Sequence, residues 1–159
     1  MKIDIDHLRA WVGQTETATD TLHAGQLASL AATLDRDELN PQSGDLVPPA
    51  GHWIYFTPRP KASEIGSDGH AKRGGFLPPV DLPRRMWAGG RMRWPGALRV
   101  GDTVTRTSTI SEVNHKSGKS GELVFVLVKH AIAGPDGVCV EEEHDIVYRG
   151  PSDPDMLPP

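Results

Sequence analysis

Apolar and polar positions are most clearly ordered in the last third of the chain. Residues 104–116 are rich in Thr, Ser, Ile and Val, residues 122–133 are strongly apolar, and residues 138–149 alternate. Residues 117–121 and 134–137, with their Gly, Ser, Pro and Asp, read as the turns between them. The pattern predicts three long antiparallel strands of about 12 residues, each near 40 Å at ~3.3 Å per residue. If the turns set the register, Lys116 faces Glu122, Lys129 faces Glu142 and His130 faces Glu141, and opposite charges across an antiparallel pair favour that pairing. In the middle strand Leu123, Phe125 and Leu127 share one face and Val124, Val126 and Val128 the other, so both faces call for cover. In the last strand Val138, Val140, Ile146 and Tyr148 point one way, and Glu141, Glu143 and Asp145 the other.

The first half is less regular. Residues 5–12 suit a short helix and residues 15–22, rich in Thr, a strand. Over residues 23–34, Leu27, Leu30, Ala31 and Leu34 fall at i, i+3, i+4 and i+7, so they line one helical face. Ala24, Ala28 and Ala32 keep the neighbouring face slim enough for a sheet to approach, and Asp20 or Thr21 is placed to cap the start. The aromatic-rich residues 52–57 read as a strand. Residues 58–83 are polar, rich in Gly and Pro and without period, the length at which a loop tends to carry function. Residues 151–159 form a Pro-rich tail or linker, leaving residues 1–150 as one domain. The expected fold class is α+β, a long curved antiparallel sheet wrapped around one central helix.

Composition narrows the function. At 159 residues the chain can bury roughly two-thirds of its unfolded surface. Its 37% apolar and 24% charged content requires no metal or disulfide for stability. Cys139 is the sole cysteine, which excludes an internal disulfide and favours a reducing, cytoplasmic setting. A net charge of -4 argues against a nucleic-acid binder. No run approaches the ~20 apolar residues of a membrane span, and residues 1–11 lack the apolar stretch of a signal peptide.

The charge is unevenly spread. Residues 1–50 hold eight acids against three bases, whereas residues 70–100 hold seven bases against Asp81 alone. Such a basic segment in an acidic chain suits an anionic small molecule. Within it Arg84, Arg85 and Arg91 offer forked donors for phosphate oxygens. Gly89 and Gly90 allow close approach to the backbone, and Trp87 and Trp94 offer flat apolar surfaces. The alternative is an Arg-rich loop beside an edge strand. The seven histidines show no metal-ligand spacing, and the run Glu141 to Asp145 alternates faces on a strand, so it reads as a solvated acidic edge.

The stretch Gly74-Gly75-Phe76-Leu77-Pro78-Pro79, followed by Leu82-Pro83-Arg84-Arg85-Met86-Trp87-Ala88-Gly89-Gly90-Arg91, resembles the N-terminal dehydratase-type half of MaoC-like acyl-CoA hydratases. These include the mesaconyl-C4-CoA and itaconyl-CoA hydratases and related 3-hydroxyacyl thioester dehydratases. The likeness continues through Arg99-Val100-Gly101-Asp102, the turn at 116–121 and the ending Glu143 to Arg149. It implies the hot-dog fold, an acyl-CoA thioester as substrate and no separate cofactor. It also implies a second hot-dog domain as partner, as a homodimer or heterodimer. In that family a His with an acidic or amide partner, in the C-terminal half, activates water. Residues 37–42 echo the Asp-x-Asn-Pro-x-His motif of that half, but Gln42 stands where His is required, so they read as a helix-terminating loop and no catalytic residue is assigned. The role implied for this half is to bind the thioester, with Trp53, Tyr55 and Phe56 as candidate walls of an acyl pocket. Two other readings remain open. One is a non-catalytic binding half, and the other a hot-dog thioesterase using Asp20 or Asp35.

Overall fold

The computed structural model describes residues 3–37, 40–118 and 121–151. The tail expected over residues 151–159 thus lies, from residue 152 onward, outside the described residues, as do Glu38 and Leu39 of the loop after the helix.

A short helix α1 (Ile5–Arg9) is followed by strand β1 (Thr15–Thr21), helix α2 (Ala24–Thr33) and a 3-10 turn (Gly51–Ile54). After the long loop come β2 (Arg84–Arg93), β3 (Thr103–Gly118), β4 (Gly121–Gly134) and β5 (Gly137–Arg149). The strands form one sheet in the order β1-β3-β4-β5-β2, every pair antiparallel. The three long strands expected from the C-terminal alternation form as a meander.

Their register differs from the expected one by a single residue in both hairpins. Gly118 pairs with Gly121, so Lys116 opposes Leu123 and Ser117 opposes Glu122. Between β4 and β5 the turn sets the first pairs, but an irregularity between Ile132 and Ala133 takes up one extra residue on β5. Cys139 is that residue, buried together with Val140, and beyond it Lys129 opposes Glu143 while His130 opposes Glu142. A bulge of this kind moves every later pairing by one.

One side of the sheet carries two apolar clusters. The first packs Val124, Val126, Val128, Ile110, Ile146 and Tyr148 beneath Leu8 of α1 and the segment holding Val80 and Leu82. The second packs Val104, Ile132 and Val140 beneath Leu27 of α2, with Tyr55 and Phe56. On the opposite side Leu123, Phe125 and Leu127 are half-buried, so the full cover expected there is absent among the described residues.

Four local expectations are corrected. Leu34 is 57% exposed, because the helix ends at Thr33 and Asp35 turns into the left-handed region at φ 53°. His23 caps α2 without a side-chain bond. The Asp20 carboxylate instead accepts the Phe56 and Thr21 N–H groups at 2.7 and 2.8 Å. Residues 52–57 form no strand: positive φ values at Ala50 (64°) and Phe56 (55°) bracket the 3-10 turn and fold it inward. Val138, expected inside, is 44% exposed at the turn, ahead of the bulge.

Candidate functional site

The inner face of the sheet is not uniformly apolar. Alternation along β3 sends Val104, Arg106, Ser108 and Ile110 inward, and β4 adds His130 between Val128 and Ile132. On β5 the shifted register sends Glu142 and His144 inward between Val140 and Ile146. A polar belt of Arg106, Ser108, His130, Glu142 and His144 therefore crosses the sheet between its two apolar clusters. The 3-10 turn covers this belt with His52 and Trp53, the next two residues add Tyr55 and Phe56, and Trp87 closes one side from β2. All of these except the enclosed Ser108 line a cleft of about 480 Å³.

Glu142 is the hinge of the site. Trp53 Nε1 donates to one of its oxygens at 3.0 Å, and His52 Nε2 lies 3.1 Å from the other. Burial pushes its carboxyl up, but the bonds from His52 and Trp53 outweigh that and hold it below the ordinary value. His130 Nδ1 lies 2.9 Å from the hydroxyl of the fully buried Ser108. Burial pushes the His130 imidazole down to about 4, with Arg106 acting in the same direction and Glu142 opposing. His144, with its ring 6.2 Å from that of His130, is also lowered by burial. At neutral pH the belt thus holds two uncharged imidazoles able to orient water or a polar ligand group by hydrogen bonding. Ser108 is too enclosed to meet a ligand.

Of the residues singled out in the sequence, Trp53, Tyr55, Phe56 and Trp87 meet at this cleft. Trp53 and Trp87 are exposed at its rim, whereas Tyr55 and Phe56 are buried. The Tyr55 hydroxyl donates to the His23 carbonyl at 2.9 Å, and burial with the nearby Asp20 charge raises it to about 12. Phe56 stacks under the Arg106 guanidinium, 4.9 Å from the ring centre.

The arginine and glycine stretch is not a loop but the edge strand β2, and its pleat divides the cluster. Arg85 turns inward to Asp68 at 3.5 Å. Arg91, past an irregularity between Trp87 and Gly89, lies on the outer face with Glu143 and Asp145. Arg84 opposes Arg149 at the end of the strand. Gly90 is needed by the sheet itself, since a Cβ there would come 3.0 Å from the Glu143 carbonyl oxygen. Gly89 has more room, 3.6 Å from the Asp145 carboxylate. The two thioesterase candidates lie elsewhere: Asp20 is tied to backbone N–H groups and Asp35 is exposed beyond α2.

Sequence reasoning missed His52, Arg106, His130, Glu142 and His144. A signal existed, because Glu142 and His144 share their parity with Val140 and Ile146. The pairing of Lys129 with Glu142 expected from the turn pointed the other way. A larger cavity of about 600 Å³ lies beside α2, lined by Leu27, Leu30, Leu34, Leu46 and Pro48 among others, and it contains no imidazole. Among the described residues no group of three His, Cys, Asp or Glu is placed to hold a metal ion, and no helix is long and apolar enough to cross a membrane.

Comparison with known proteins agrees with this architecture. The chain is 44% identical over 149 residues to mesaconyl-C(4)-CoA hydratase of Chloroflexus aurantiacus, covering 94% of this chain and 53% of that protein. It thus spans about half the length of this curated relative. The ChsH1–ChsH2 complex of Mycobacterium tuberculosis superimposes with a TM-score of 0.65 at 15% identity, covering 97% of this chain and 94% of that one. The C-terminally truncated HadBC (3R-hydroxyacyl-ACP dehydratase) complex of the same organism gives 0.52 at 12% identity, covering 92% and 99%. A hot-dog-like protein of Thermanaerovibrio acidaminovorans gives 0.51 at 12% identity, covering 89% and 87%. At such identities these likenesses establish the hot-dog fold alone. The model of the hydroxyacyl-thioester dehydratase type 2 family matches residues 50–158, more than half of the chain. The polar belt and its aromatic cover are thus the inner face of a hot-dog domain, and the chain belongs to the hydroxyacyl-thioester dehydratase type 2 family.

Proposed function

We propose that this chain is one hot-dog half of an acyl-CoA hydratase or dehydratase and binds the acyl part of a CoA thioester in the inner-face cleft. The observation that carries the reading is the cleft itself, about 480 Å³, with aromatic walls and neutral imidazoles on its floor. Such a site takes a short acyl chain by its apolar walls while a few polar groups fix its orientation. Trp53, Tyr55, Phe56 and Trp87 are the acyl-contacting residues in this reading. The β2 edge, with Arg84, Arg85, Arg91 and the Gly89–Gly90 pair, is the proposed approach for the CoA phosphates. A phosphate there would compete with Asp68 for Arg85, and with Glu143 and Asp145 for Arg91.

Residues 1–150 act as a single hot-dog unit in this account, and residues 151–159 as a connection. A second hot-dog domain, in a homodimer or heterodimer, supplies the base that activates water. Addition to, or loss of water from, an α,β-unsaturated thioester also requires a polarised carbonyl. The mesaconyl, itaconyl and 3-hydroxyacyl thioesters are the proposed substrates, handled without a separate cofactor and in the cytoplasm.

The test is to combine the chain with candidate hot-dog partners and follow hydration of crotonyl-, mesaconyl- and itaconyl-CoA. Thioester binding by the chain itself is followed in parallel through its tryptophan fluorescence. Turnover in a pairing is expected, with quenching of Trp53 and Trp87. Quenching without turnover in any pairing would leave a binding half only. No quenching and no turnover would defeat the proposal.

A further inference from the structure

Arg106 is a cation that lines the cleft. It projects from β3 between Ala18 of β1 and Ile132 of β4, is half-buried, and its Nε is enclosed without a hydrogen-bond partner. Among the described residues it forms no ion pair. By contrast, Arg85 and Arg73 share Asp68, and Arg91 and Arg93 meet carboxylates of β5. Its contact is with the face of Phe56, and a guanidinium stacked by its face keeps its in-plane N–H groups for an acceptor.

Among the described residues no carboxylate of the surrounding elements forms an ion pair with it, and Glu16, which lines the adjoining groove, is exposed to solvent. Glu142 is engaged by His52 and Trp53, and Asp20, on the adjoining groove, by the N–H groups of Phe56 and Thr21. The cleft's imidazoles at His130 and His144 bring no negative charge either. A partly desolvated, uncompensated guanidinium disfavours an apolar ligand terminus and favours an anionic one.

We propose that Arg106 determines specificity by pairing with a second carboxylate on the acyl chain, so that the cleft selects dicarboxylic over neutral acyl thioesters. The inference rests on the cleft binding an acyl-CoA thioester, and its test separates the two claims. Succinyl-CoA and butyryl-CoA share a four-carbon acyl chain and differ in a terminal carboxylate against a methyl group. Titrated into the chain, succinyl-CoA is expected to bind roughly tenfold to a hundredfold more tightly, the range of a charge-assisted hydrogen bond. Arg106→Met is expected to bring that ratio near one. Arg106→Lys, which keeps the charge but loses the fork, is expected to restore part of it. Equal affinities in the unsubstituted chain overturn this proposal while the thioester reading stands. Binding of neither thioester overturns both. A preference that survives in Arg106→Met assigns the carboxylate to another residue and overturns the role of Arg106.

Discussion

Burial, and a neighbouring arginine, keep the His130 imidazole neutral down to about pH 4, against an ordinary value of 6.5. The unfolded chain takes up this proton first, near 6.5. The stability that neutral His130 contributes is therefore complete above 6.5 and declines as the pH falls toward 4, by at most about 1.4 kcal/mol per pH unit. His144 is lowered by burial and acts in the same sense. Glu142, held below its ordinary value of 4.5, loses its contribution at still lower pH, as its folded-state carboxyl is protonated. Urea unfolding between about pH 7.5 and 4.5 should show stability falling on acidification, and His130→Gln should flatten that slope. Identical slopes in both proteins would mean that His130 titrates normally in the fold. This chemistry was hard to read from sequence because a histidine on a strand declares neither its face nor its burial. His130 was expected opposite Glu141, on the pairing a regular hairpin would give.

Among the elements, β2 shows most plainly how local signals mislead. Its glycines and arginines left open a phosphate site or an Arg-rich loop beside an edge strand, yet Arg84–Arg93 is itself the edge strand, running along β5. Gly90 lets that pairing close, and the irregularity after Trp87 sends Gly89 and Arg91 to the outer face. The two glycines should therefore respond differently to a methyl group. Gly90→Ala drives a Cβ to 3.0 Å from the backbone oxygen of Glu143, and the strand must shift, at about 1–2 kcal/mol. Gly89→Ala meets a movable carboxylate at 3.6 Å and should lie within about 0.5 kcal/mol of the parent, with a gain possible from the stiffer unfolded chain. Urea midpoints of the two variants decide the matter, and equal values would contradict the close approach at Gly90. Other elements were legible. The helix appeared over Ala24–Thr33 and the strands at Thr103–Gly118 and Gly121–Gly134, because their periods extend over many residues. Residues 52–57 failed as a strand because their aromatic content reflects inward contacts of Tyr55 and Phe56, not β pairing.

Across the whole molecule, a few polar contacts tie the irregular segments to the sheet. Asp68 joins the long loop to itself through Arg73 at 3.4 Å and to β2 through Arg85 at 3.5 Å. Burial pushes its carboxyl up, but the His70 N–H and the two arginines hold it below the ordinary range. Arg73 in turn donates to the carbonyls of Val80 and Pro83 and lies over the Tyr148 ring. Asp68→Asn should cost about 1–2 kcal/mol and raise proteolytic cleavage within residues 58–83 before global unfolding. Unchanged cleavage would show that the apolar anchors Val80 and Leu82 hold the loop unaided.

Long alternating runs, a short amphipathic helix and an unbroken Arg–Gly motif were enough to define the α+β class, the meander and the resemblance to a hot-dog half. Those features depend on spacing along the chain, which a sequence displays directly. The register that sets Glu142 opposite His130, the inward fold of His52 and Trp53, and the absence of an ion pair at Arg106 among the described residues could not be read in this way. Each follows from non-local geometry: one extra residue at Cys139 shifts the pairing expected for Glu142 from its turn, and two left-handed residues bring the aromatic turn over it. The cleft is made where those two irregularities meet.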